Sequence, residues 1–161
     1  MTPGPATRHQ VVITELLLLL DGYLEQETVG VVMLSPSELE LRPGTITQPD
    51  LFVIPVDNKI AGDALQWPDV KSLLLAVEVL SPSSHHRDRV TKRDFYLDSG
   101  VEEYWIVDLD AQVFERWLPG RETPELVRGW VEWAPRGCAP LVIDIPKLFL
   151  RCSRKMGVFA R

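Results

Sequence analysis

Asp50, Glu78 and Lys92 are the residues of this chain whose types and spacing could do chemistry. Glu78 lies inside LLLAVEVL, residues 73–80, a run in which seven of eight residues are apolar. A carboxylate in such a strand is costly unless a cation or hydrogen-bond donors stand beside it. A metal ion and Lys92, fourteen residues further on, are the candidate partners. Asp50 stands at the margin of a second apolar run, LFVI, directly after Pro49. If these two strands are neighbours in one sheet, both carboxylates reach the same edge and can coordinate a hard divalent ion through oxygen, with magnesium well suited and manganese a substitute. A phosphodiester is anionic and would be repelled by carboxylates alone. A metal ion with an ammonium beside it reverses the local sign and supports hydrolysis by in-line attack of an activated water.

Each of the three also has a plainer reading, and the spacing leaves both open. Asp50 after proline can be a turn or strand-edge residue. Glu78 can be one half of a structural ion pair. Lys92 can be a solvated helix residue paired with Asp88 at i,i+4. The other titratable residues carry less. His85 and His86 are adjacent and so project differently, which suits loop histidines better than a joint metal site. His9 sits close to an end expected to be mobile and is given no site role. Asp69 reads as a turn cap, and Asp108 and Asp110 as hairpin residues. Four of the five tryptophans, Trp105, Trp117, Trp130 and Trp133, fall in apolar strands or a meander and read as packing residues rather than base-stacking platforms.

The elements that must position the candidates follow from periodicity. Residues 10–25 carry a wide apolar helical face from Val11 to Leu24. Val29 to Met33 and Leu39 to Leu41, separated by Ser35-Pro36-Ser37, predict a hairpin. A turn at Arg42-Pro43-Gly44 leads to Ile46. Asp50 to Ile54 is a strand, the Gly- and Pro-containing stretch 56–71 a loop bordering a cleft, and 73–80 a central strand covered on both faces. Pro82, Ser83 and Ser84 end that strand and offer caps for a helix from Arg87 to Ser99 that stops at Gly100. Along this helix Asp88, Lys92 and Tyr96 repeat at i,i+4, which turns Lys92 toward a cleft. Tyr104 to Leu109 and Val113 to Leu118 form a hairpin across residues 108–111. A meander spans Leu126 to Trp133, and LVIDIPKLF, residues 141–149, predicts a last strand and a short closing turn before a basic tail, 151–161.

The 161 residues are the size of one ordinary domain, and 45% apolar with 25% charged residues describes a globular chain. No apolar run is long enough to span a bilayer. The opening MTPGPATRHQ has no signal-peptide pattern, so a cytoplasmic location is expected. Cys138 and Cys152 have neither CxxC spacing nor scaffold density and are expected as free thiols. A net charge of −6 excludes a protein coated for non-specific nucleic-acid binding, but not a local basic groove such as Arg87, Arg89, Lys92 and Arg93 could build.

The blocks QPDLFVI, LAVEVLSPSS and DRVTKRDFYLDSGVEEYWIVD resemble the Uma2 family, a group of restriction-endonuclease-like proteins in the PD-(D/E)XK nuclease superfamily. The resemblance implies a nuclease triad of Asp50, Glu78 and Lys92, with the first two as metal ligands. A common nuclease pattern puts lysine two residues after the strand glutamate. Leu80 stands there in this chain, and Lys92 on the following helix takes the place that the family uses instead. The expectation is therefore an α/β, restriction-endonuclease-like domain with a mixed central sheet flanked by helices. It would cleave nucleic acid, DNA above all, with magnesium, and two copies could associate to present two cleavage sites. A non-catalytic interaction module on the same fold and a metal-dependent phosphatase acting on a small substrate are the rival expectations.

Overall fold

The computed structural model describes residues 5–57, 67–80 and 86–159. In chain order the elements are α1 (Pro5–Glu27), β1 (Gly30–Leu34), β2 (Leu39–Arg42), β3 (Thr45–Thr47), β4 (Leu51–Pro55), β5 (Leu75–Leu80), α2 (His86–Asp98), β6 (Tyr104–Asp108), β7 (Val113–Trp117), β8 (Glu125–Val127), β9 (Trp130–Trp133), β10 (Leu141–Asp144) and α3 (Ile145–Phe159). Six strands form the central sheet in the order β1-β4-β5-β6-β7-β8. Its β5–β6 pair is parallel and the other neighbours are antiparallel, so the sheet is mixed. A parallel pair cannot be joined by a tight turn, and α2 lies in the crossover between these two strands.

The alternation of side chains along β4, β5 and β6 divides the interior into two layers. Leu51, Val53, Leu75, Val77, Trp105 and Val107 share one core with the apolar faces of α1 and α3. Phe52, Ile54, Ala76, Tyr104 and Ile106 share the other with Tyr96 of α2 and Leu39 and Leu41 of β2. Cover on both faces is why β4 and β5 read as unbroken apolar runs. By parity, Glu78 belongs to the second face, the one that α2 covers, and Asp50 stands in the bend just before β4.

Two expectations are corrected. Val29 to Met33 does not form a hairpin with Leu39 to Leu41. Strand β1 pairs instead with β4, and β2 pairs with β3 across the Pro43-Gly44 turn, where Gly44 takes φ +76°. Gly30 makes the first pairing possible, because a Cβ on it would lie 2.7 Å from the Ile54 carbonyl oxygen. The segment after β10 is not a short turn but the 15-residue helix α3. Asp144 Oδ1 accepts from Lys147 N–H at 3.0 Å and caps it, and Leu148, Phe149 and Cys152 form its buried stripe. Trp105, Trp117 and Trp133 are buried, as expected of most of the tryptophans, and Trp130 is 68% exposed.

Other readings match. Asp108 Oδ1 accepts from the Asp110 and Ala111 N–H groups and shapes the β6–β7 turn. Cys138 and Cys152 are free. Among the described residues no helix is long and apolar enough to cross a membrane. Most of the 56–71 loop, with Ser83, Ser84 and His85, lies outside the described residues.

Candidate active site

The β4–β5 register brings the two carboxylates together. Leu51 pairs with Val77, Phe52 with Ala76 and Val53 with Leu75. Extending that antiparallel register by one residue sets Asp50 opposite Glu78, and directly opposed residues project to the same face. The burial of Glu78 is deep, at 9% exposure.

Helix α2 supplies donors to Glu78. Lys92 Nζ donates to Glu78 Oε1 at 3.2 Å, and the Tyr96 hydroxyl donates to the same oxygen at 3.0 Å. Residues four apart on a helix share a side, which is how one helix delivers both. An ionised carboxylate can only accept. With its single proton committed to Glu78, Tyr96 must accept from Thr47 Oγ1, 2.7 Å away on β3. Burial of the Glu78 carboxyl raises its pKa above the ordinary range, against the Lys92 charge that lowers it, and the Asp50 charge raises it further. Burial and the Glu78 charge likewise raise the Tyr96 pKa, so the phenol stays protonated as a donor.

Asp50 is held from a different direction. Its Oδ2 accepts from the Val79 backbone N–H at 2.8 Å and lies 3.2 Å from His9 Nε2. Since the carboxylate can only accept, Nε2 carries the proton. The hydrogen bond to Asp50 raises the His9 pKa above 6.5, against partial burial that lowers it. Two lobes of hydrogen bonding thus converge on one pair of carboxylates, with α1 and β5 on Asp50 and α2 on Glu78, where β3 supports Tyr96.

All three residues singled out in the sequence are therefore in one neighbourhood, with Lys92 directed at Glu78. Three others were missed there. Tyr96 had a signal, its place four residues after Lys92. Thr47 had none beyond being a polar strand residue. His9 had been set aside as terminal, yet its side chain is 17% exposed and fixed against Asp50, because α1 begins five residues earlier than its apolar pattern suggested. The side chains of Arg87 and Arg89, proposed for a basic groove, lie outside what the structure describes. Arg93, the fourth member, stacks its guanidinium over the Trp117 ring at 4.7 Å.

The donor set can be tested against magnesium. Among the described residues no three His, Cys, Asp or Glu side chains form a ready-made metal cage. Two opposed carboxylates are nevertheless the donors that magnesium takes, since it keeps several waters and binds through one or two carboxylates plus substrate phosphate oxygens. Asp50 and Glu78 fit that demand.

The Uma2 family profile, described as putative restriction endonuclease, matches residues 1–137. Among solved structures, the chain is similar to a putative nuclease belonging to DUF820 from Anabaena variabilis, with a TM-score of 0.73 and 19% identity over 94% of this chain and 84% of that one. At that identity the likeness speaks to the fold. No curated protein matches the chain.

Proposed function

Since the chain belongs to the Uma2 family, we propose that it is a magnesium-dependent endonuclease that hydrolyses phosphodiester bonds of nucleic acid, DNA above all. The observation that carries this reading is the meeting of two carboxylates from adjacent strands with the Lys92 ammonium, 3.2 Å from Glu78. Asp50 and Glu78 would hold the ion, with manganese able to replace magnesium. When bound, the ion would lower the pKa of a coordinated water and offset the negative charge of the phosphate.

The protein's own residues do the rest. Val79 N–H and His9 fix the Asp50 carboxylate, and Tyr96 and Lys92 fix that of Glu78. Lys92 is half-exposed, so its ammonium has access to substrate as well as to Glu78. From there it orients the attacking water or stabilises charge on the scissile phosphate. The rival scaffold reading would be favoured by Lys92 turned away from the carboxylates, which is not its position. A nuclease of this kind would act in the cytoplasm, and two copies would present two cleavage sites to a duplex.

The test is cleavage of plasmid, linear and single-stranded DNA, and of RNA, with magnesium or manganese. We expect DNA cleavage that a chelator abolishes. Asp50→Asn should reduce it by about a thousandfold, equivalent to roughly 4 kcal/mol of transition-state stabilisation. Equal cleavage by wild type and Asp50→Asn would discard the assignment. Turnover of small phosphate esters with none of polymers would transfer the site to a phosphatase.

A further inference from the structure

We propose that His9 is a positioning residue, one that orients Asp50 so that its Oδ1 oxygen faces the metal ion; this rests on the nuclease reading above. The argument begins with the two oxygens of one carboxylate. Oδ2 receives two donors, the Val79 N–H at 2.8 Å and His9 Nε2–H at 3.2 Å. Among the described residues no hydrogen bond reaches Oδ1. Donors from two different elements on one oxygen restrict rotation about both side-chain torsions of Asp50, and they leave the second oxygen without a partner among the described residues.

The backbone of His9 has supports besides the contact with Asp50. The preceding residue, Arg8, donates from Nη1 to Asp110 Oδ1 and from Nη2 to the Leu109 carbonyl oxygen, each at 3.3 Å. These contacts tie the first turns of α1 to the β6–β7 turn. On the other side of His9, Val12, Ile13 and Leu16 anchor the helix in the core. The imidazole is thus presented by a helix held at both flanks, the condition under which a ligand's hydrogen-bonding partner contributes to metal affinity. Glu78 is treated in parallel: Tyr96 and Lys92 both donate to Oε1, and no described residue bonds Oε2. One oxygen of each carboxylate is taken up by the protein.

The experiment is calorimetric titration of wild type, His9→Ala and His9→Gln with manganese chloride, beside thermal melts of the metal-free proteins. Outer partners of metal ligands typically contribute 10–100-fold in affinity. We expect His9→Ala to weaken manganese binding by about that factor, and His9→Gln, whose amide can donate to the same oxygen, to recover most of it. A purely structural role would lower the melting temperature without this rescue of affinity. If His9→Ala does not fold, His9→Leu keeps the volume, removes the donor and carries the same comparison. Unchanged affinity in the donor-less variant, or no recovery with glutamine, would overturn the inference and leave the nuclease reading intact. Direct nitrogen coupling from His9 to bound manganese in pulsed electron paramagnetic resonance would also overturn it, by making His9 a ligand. Absence of manganese binding by the wild type would remove the nuclease reading first and this inference with it.

Discussion

A Glu78→Gln protein is expected to melt at a higher temperature than the wild type at neutral pH while losing about a thousandfold in cleavage, roughly 4 kcal/mol at the transition state. The two effects share one cause. Burial is the largest influence on Glu78 and raises its pKa above 4.5, the nearby Asp50 charge adds to it, and Lys92 and Tyr96 offset only part. A carboxyl group whose folded pKa is raised binds its proton more tightly in the native state. Its stabilising contribution is therefore complete below pH 4.5 and is lost as the pH climbs through the raised folded value. At neutral pH the ionised wild-type side chain is a burden that glutamine, neutral and nearly isosteric, does not carry. Lys92 is half-exposed and remains solvated when its partner is neutralised. Removing such a burden is worth about 0.5–2 kcal/mol, or roughly 1–8 °C at this chain length. Melts of both metal-free proteins across the acid-to-neutral range should show a gap that closes toward pH 4.5. A variant less stable than wild type at neutral pH would mean that the Lys92 and Tyr96 contacts outweigh burial.

The second large effect lies far from the carboxylates in sequence. Gly30→Ala should destabilise the protein by about 2 kcal/mol, and Gly30→Val by more. A Cβ at Gly30 would meet the Ile54 carbonyl oxygen at 2.7 Å, Val53 Cγ1 at 2.8 Å and Leu74 Cδ1 at 3.0 Å. The first of these is backbone of β4, which is pinned between β1 and β5 and cannot retreat without breaking one ladder. Relief must come from β1 lifting away from β4. Since Asp50 immediately precedes β4, metal affinity should fall along with stability. Urea denaturation of Gly30→Ala would measure the loss. A midpoint unchanged from wild type would show that β1 yields without cost.

The convergence of Asp50, Glu78 and Lys92 was more legible in the sequence than the strand pairing around it, for a physical reason. A lone glutamate in an apolar strand announces that something must compensate it, and the helical spacing of Lys92 and Tyr96 limits what can reach it. Strand pairing carries no such signature. The partner of β1 was misread because nearness in sequence favoured β2, while the cue for β4, a glycine allowing close approach, is visible only once the strands are side by side. Pro146 stands at the second position of the last helix, where proline is well tolerated. Its cap is Asp144. His9 could not have been found by spacing, since its contact with Asp50 spans 41 residues and depends on how α1 crosses the sheet.

The family profile stops at residue 137, and the protein's interior does not. Ile143, Ile145, Leu148, Phe149 and Cys152 belong to the same core as Leu16 and Leu20 of α1, and the buried Glu15 of α1 is paired with Arg151 and Lys155 of α3. The folded unit thus runs past the residues that the profile matches. A fragment cut after residue 137 would bare the oily flank of α1, and with it loosen the helix that presents His9.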